Sequence, residues 1–179
     1  MRETVTLERD CDATVIPEGS KIKLPKGSKA EIMQSLGGSY TVVTERGYMV
    51  RIDAENADAI GKEISKAPTA EEAADQPVEK LVWDQLKTCY DPEIPINIAD
   101  LGLIYRCDVT DHPEGGKQVF IQMTLTAPGC GMGETLKMDV HRKVEKLPGV
   151  REVAVELVWD PPWSQAMMSE AAKLKLGLL

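Results

Sequence analysis

At "SKAPTAEEAADQP", residues 65–77, the hydrophobic pattern of the chain changes, and that change limits what it can fold into. The stretch is rich in Ala, Pro and acid and has no large apolar residue, so it reads as a tether and not as part of a core. It divides the chain into an expected module at 1–66, a linker at 67–77 and a second domain at 78–179. Ahead of it, short β runs alternate with turns. "PEGSKIKL" and "PKGSKAEI" form an internal repeat in which Pro opens a type I turn, Gly frees its exit, and a short strand follows. "YTVVT" and "YMVRI" read as strands joined through "ERG" as a hairpin, and no helix is expected until "ENADAIGKEI". The first part is therefore read as a small all-β module.

After the tether the pattern becomes α-β-β-α-β-α. Val78, Leu81, Val82, Leu86 and Cys89 share one helical face, which makes Cys89 a core residue. In "VFIQMTLT", Val119, Ile121, Met123 and Leu125 face one way, while Gln122, Thr124 and Thr126 face the other. "LGLIYRCDV" places Cys107 among packed positions, and "REVAVELVW" repeats the alternation through Val153, Val155, Leu157 and Trp159. Strands with one polar side predict a three-stranded sheet covered by helices on one face, a two-layer α+β domain. Leu136, Val140, Val144 and Leu147 form the covering stripe of one helix, with His141 beside it. The last helix is expected to start at Ser164 and to turn Met167, Ala171 and Leu174 inward, with Met168 as a candidate to join them.

Composition narrows the function classes. Formal net charge is −8, and residues beyond Lys66 carry 11 basic against 18 acidic side chains, which excludes nucleic acid as the main partner. No apolar run approaches the roughly 20 residues of a membrane helix, and the first residues lack a signal-peptide core, so a cytoplasmic location and no membrane partner are expected. Four cysteines without C-x-x-C spacing then read as free thiols.

One of them stands apart. In "TLTAPGCGMGETLK" a strand gives way to a glycine-rich turn, and Cys130 comes at the mouth of the following helix between Gly129 and Gly131. A helix start favours thiolate over thiol, and flanking glycines let a bulky group approach. That pattern suits a nucleophile, a redox thiol or a metal ligand alike. Two other segments carry more polar and rigid residues than a connection needs: "YDPEIPINIADLG", with Asp91, Glu93 and Asp100, and "WDPPW". Cys11, a thiol among acids beside a turn, is a second-thiol candidate.

"DPEIPINIADLGLIY", "MTLTAPGC" and "VWDPPW", in this order, resemble the motifs of the MIP-eighteen or FSCA domain family of iron–sulfur cluster assembly factors. The β module with "RDCDATVIPEG" and the tail "WDPPWSQAMMSEAAK" is similar to the SufT subgroup. The resemblance implies an accessory factor in iron–sulfur protein maturation, not an enzyme. It implies Cys130 as the functional, cluster-binding and metal-binding cysteine, with Asp91, Glu93 and Thr126 in support. A cluster normally takes about four thiolates. One Cys130 per chain therefore implies a transient iron–sulfur cluster, shared across a homodimer or with an external thiol, and passed to apo client proteins. The assembly machinery and those clients are the expected partners. A non-catalytic adaptor linking targets to the machinery is the alternative, and a thiol enzyme working through Cys130 is a third reading.

Overall fold

The computed structural model describes residues 2–91, 94–128 and 131–179. The chain divides into two compact units, Met1–Lys66 with Cys130–Thr135, and Ala67–Gly129 with Leu136–Leu179.

In the first unit, β1 (Glu3–Thr6), β2 (Cys11–Val15), β3 (Lys21–Leu24), β4 (Lys29–Leu36), β5 (Ser39–Thr44) and β6 (Met49–Ile52) form one antiparallel sheet. Their order is β1-β4-β5-β6-β2-β3, which leaves β1 and β3 as edges. Val5, Leu7, Ala13, Leu24, Val42, Val50 and Ile52 make the core of the sheet, and a 3₁₀ turn at Ala54–Ile60 adds Ala59 and Ile60. The repeat does what its residues dictate: β3 and β4 each follow a turn in which Gly19 and Gly27 take φ of +80° and +84°, where a side chain would be strained. The two turns are not identical. Ser28 N–H donates to Pro25 O in the second, while Gly19 N–H reaches back to Val15 O in the first, a wider loop.

The tether is more structured than its composition suggests. Thr69-x-x-Glu72 forms a capping box, and a four-residue helix, α1 (Ala70–Ala73), follows from it and buries Ala73.

The second unit has the expected α+β architecture. α2 (Val78–Leu86) precedes β7 (Ile104–Asp111) and β8 (Lys117–Met123), which pair as an antiparallel hairpin; α3 (Gly133–Glu145) crosses to β9 (Val150–Leu157), which pairs parallel to β8. The middle strand β8 buries Val119, Ile121 and Met123, and Leu136, Val140, Val144 and Leu147 are buried along and just beyond α3. The edge strand β9 is only half-buried at Val153, Val155 and Leu157. Trp159, expected to continue that side, is 46% exposed because the strand ends at Leu157.

The C-terminal tail departs from expectation. Ser164 does not cap the last helix; Gln165–Met167 is a single 3₁₀ turn, and α4 (Glu170–Lys175) starts at Ser169, whose hydroxyl accepts from Ala172 N–H. The five-residue delay rotates the buried set: Met168 and Ala172 point inward, while Ala171 and Leu174 are exposed, Leu174 by 64%. Ser169 wins because Glu170 follows it, and a carboxylate in the first turn interacts favourably with the helix N-terminus. Ser164 has no acid behind it until Ser169 has already capped.

Candidate functional site

The described part of the connection between α2 and β7 is held by several hydrogen bonds. Tyr90 and Asn97 form an antiparallel bridge, Ile98 N–H donates to Cys89 O, and Leu103 N–H donates to Ile98 O. Asn97 then nucleates a tight turn: its Oδ1 accepts from Asp100 N–H at 2.9 Å, and its Nδ2 donates to Asp100 Oδ2 at 2.7 Å. Ile96, Ile98, Leu101 and Leu103 are buried beneath it. A loop whose own side chains close its hydrogen bonds and fill the core holds its polar groups in fixed places.

Asp91 is one of those groups. Its side chain is buried, Oδ1 accepts from Ile94 N–H at 2.9 Å, and Oδ2 accepts from the Thr126 hydroxyl at 3.4 Å. Asp91 and Thr126 are 35 positions apart in sequence, yet the fold joins the acidic loop to the segment that leads out of β8 toward Cys130. The sequence placed Thr126 at the end of a strand; β8 ends at Met123, and Thr126 belongs to the loop that follows. Of the remaining expected site residues, Glu93 and Cys130 lie outside the described residues. Cys11 belongs to the β unit, where it is buried in the core and its Sγ donates to Asp12 O.

The described thiols are poor ligands. Burial pushes Cys11 up, with nearby Asp12 and Asp58 adding to the effect against the opposing charge of Arg9. Cys107 is pushed up to about 11, first by burial and then by Glu79 and Asp108. Cys89 is fully buried on the core side, its Sγ 3.6 Å from Gln85 O. Only the thiolate binds metal, so at neutral pH Cys11 and Cys107 hold their protons. Among the described residues no group of three or more His, Cys, Asp and Glu side chains could hold a metal ion. His112 pairs with Glu152 at 3.0 Å, and His141 lies between Val153 O and Glu145.

Sequence reasoning marked "WDPPW" without a role. In the structure this tail is fastened to the same loop. Trp163 Nε1 donates to Leu101 O at 2.7 Å, the Tyr105 hydroxyl donates to Pro161 O at 2.7 Å, and Ser169 N–H donates to Asp100 O at 2.8 Å. Gly102, at φ +76°, lets Met167 O come so close that a Cβ there would lie 2.2 Å from it. Thr124 was also passed over: it is buried, and its hydroxyl has no hydrogen-bond partner among the described residues. The polar side of "MTLT" was its only signal.

Comparison with known proteins converges on one family. The family model described as "Iron-sulfur cluster assembly protein" matches residues 79–157. An "Fe-S protein maturation auxiliary factor" of Porphyromonas gingivalis is 48% identical over 101 residues, covering 56% of this chain and 92% of that protein. The "Fe-S protein maturation auxiliary factor SufT" of Staphylococcus aureus is 41% identical over 88 residues, covering 49% of this chain and 96% of that protein. A crystal structure of a DUF59 domain from Bacillus anthracis is 37% identical with a TM-score of 0.49, covering 57% of this chain and 93% of that one.

Proposed function

The chain belongs to the iron–sulfur cluster assembly family, and on that premise we propose that it is an accessory factor in iron–sulfur protein maturation. It receives a cluster through Cys130 and hands it to apo-proteins, with no turnover chemistry of its own. The relatives named as auxiliary factors support the first part.

The observation that carries the site is the contact between Asp91 and Thr126. It ties the acidic loop to "TAPGC", four residues before Cys130. In this reading Asp91 acts as a fastener: its carboxylate is occupied by Ile94 N–H and by the Thr126 hydroxyl, so it orients the segment that presents the thiol. Glu93, two residues on in sequence, is proposed to tune the site or to touch a partner. Cys11 and Cys107 are held as thiols by burial and Cys89 lies in the core, so Cys130 carries the cargo. One thiolate is far short of the roughly four a stable cluster takes, so remaining positions are filled by a second copy of the chain or by a small thiol. Such a cluster is loosely held, as a donor requires. The partners are the assembly machinery and apo clients. No described helix is long and apolar enough to cross a membrane, which fits work in the cytoplasm.

Anaerobic reconstitution of the wild type and Cys130→Ser with iron and sulfide, read by visible absorption, tests the ligand role. The wild type develops charge-transfer bands that the variant lacks. Equal spectra would remove Cys130 from the site. A Cys130→Ala variant that keeps every partner and full maturation activity would favour the adaptor role instead.

A further inference from the structure

The β unit contains a cleft of about 600 Å³ that the maturation reading does not use. We propose that this cleft binds an extended acidic peptide segment of a partner protein, added as a strand along β3.

Three observations carry the proposal. First, β3 pairs with β2 on one side only and is an edge of the sheet. Four consecutive residues, Ile22–Pro25, line the cleft. Side chains of consecutive strand residues point to opposite faces, so a cleft touched by Ile22, Lys23 and Leu24 in turn runs along the backbone edge of the strand. An unpaired backbone edge facing a cleft is what strand addition needs.

Second, the floor is apolar. Leu7, Leu24 and Ala30 are buried at its base, and Ile22 is half-buried beside them. Alternate side chains of an added strand would meet this floor.

Third, the rim carries uncompensated positive charge. In the same unit Arg2, Arg9, Arg51 and Lys62 each sit against an acid: Glu31, Asp58, Asp53 and Glu3 respectively. Lys23, Lys29 and Arg46 line the cleft and form no such pair among the described residues, and Glu45 is the one acid that lines the cleft with them. Lys23 lies opposite Asp12 in the β2–β3 register without closing an ion pair. In a chain of net charge −8, a local excess of cations over an apolar floor selects an anionic partner. The same lysines and Pro25 discourage pairing with a neutral or basic strand, since edge lysines repel indiscriminate strand addition. Glutamate or aspartate facing Lys23, Lys29 and Arg46 removes that repulsion.

The proposal does not rest on Cys130. Its test uses the full chain and a fluorescein-labelled octapeptide alternating glutamate with valine, followed by anisotropy and by amide shifts. The acidic peptide should bind, move the amides of Ile22, Lys23 and Leu24 most, and weaken as salt rises. Combined Lys23→Gln and Arg46→Gln should weaken binding about fivefold or more, with an unchanged thermal melt because both side chains are exposed and no acid is added opposite Asp12. Arg46→Lys, which keeps the charge, should bind as the wild type does. Equal binding of a lysine–valine octapeptide would overturn the proposal, as would shifts confined to another surface. It is also overturned if citrate alone produces the same shifts and displaces the peptide, which would make the cleft a small-anion site.

Discussion

Gly102→Ala is the substitution that most directly tests how the tail is held. The Cβ it adds would sit 2.2 Å from Met167 O, 2.8 Å from Met167 C and 3.0 Å from Met167 Cβ, and two of these partners are backbone. Left-handed backbone with a side chain costs about 1–2 kcal/mol by itself. The clash adds to that cost and can be relieved only by moving the tail. Complete detachment would break the bonds from Trp163 to Leu101, Tyr105 to Pro161 and Ser169 to Asp100, at about 1 kcal/mol each. It would also expose Met168, worth about 2 kcal/mol. The expected loss exceeds the strain alone and reaches about 6–7 kcal/mol if the tail detaches completely. Gly115→Ala is the matched control: φ is +95°, and a Cβ there meets nothing within 4 Å, so only strain applies. Thermal melts by circular dichroism should show a drop of about 2–8 °C for Gly115→Ala and a clearly larger one for Gly102→Ala. Limited trypsin digestion should cut after Lys173 and Lys175 much faster in Gly102→Ala alone. Equal melting and equal cleavage in the two variants would refute the close approach of tail and loop.

Other predictions concern single groups. With Cys130 replaced by Ser, native protein should react slowly with iodoacetamide at pH 8. Cys107 modification should climb only toward pH 11, because burial keeps it a thiol until then; fast labelling of Cys107 at pH 8 would contradict this. The same raised value means that Cys107 favours the fold below the ordinary thiol range, and that this contribution is lost as pH rises through about 11. Asp58 is held below the usual carboxylate range by the hydrogen bond from Arg9, so Arg9→Gln should raise its titration midpoint in a carboxyl NMR titration; an unmoved midpoint would show that the pair is not formed. Thr124→Val should leave stability unchanged or raise it by about 1 kcal/mol, since it removes a buried hydroxyl without a partner among the described residues. A clear loss in denaturant melts would mean that the hydroxyl is bonded.

Much of this architecture was legible because periodicity reports burial. Val119, Ile121 and Met123 alternate in sequence and are all buried in the middle strand; Leu136, Val140, Val144 and Leu147 follow the helical spacing and are buried as a stripe. The misread parts are those where two local solutions compete. Ser164 and Ser169 can each cap a helix, and the choice fell on the one followed by Glu170, which turned Leu174 outward. The tether carried its own capping box in Thr69 and Glu72, yet its alanines and acids read as a linker without structure of its own. For the site, the alternation could mark Thr126 as polar and the prolines could mark Asp91 as part of a rigid loop. Their contact is tertiary, and no local pattern contains it. The role of "DPPW" was invisible for the same reason, since Trp163 and Pro161 act on residues some 60 and 56 positions away.

The central claim is that Cys130 carries a loosely held cluster to other proteins. Anaerobic transfer from reconstituted protein to an apo-ferredoxin, followed by circular dichroism in the visible range, measures it directly. Wild type and Cys107→Ser should both load and then release the cluster to the acceptor, while Cys130→Ser should deliver none above the rate of free iron and sulfide. Transfer by Cys130→Ser at the wild-type rate would contradict the claim.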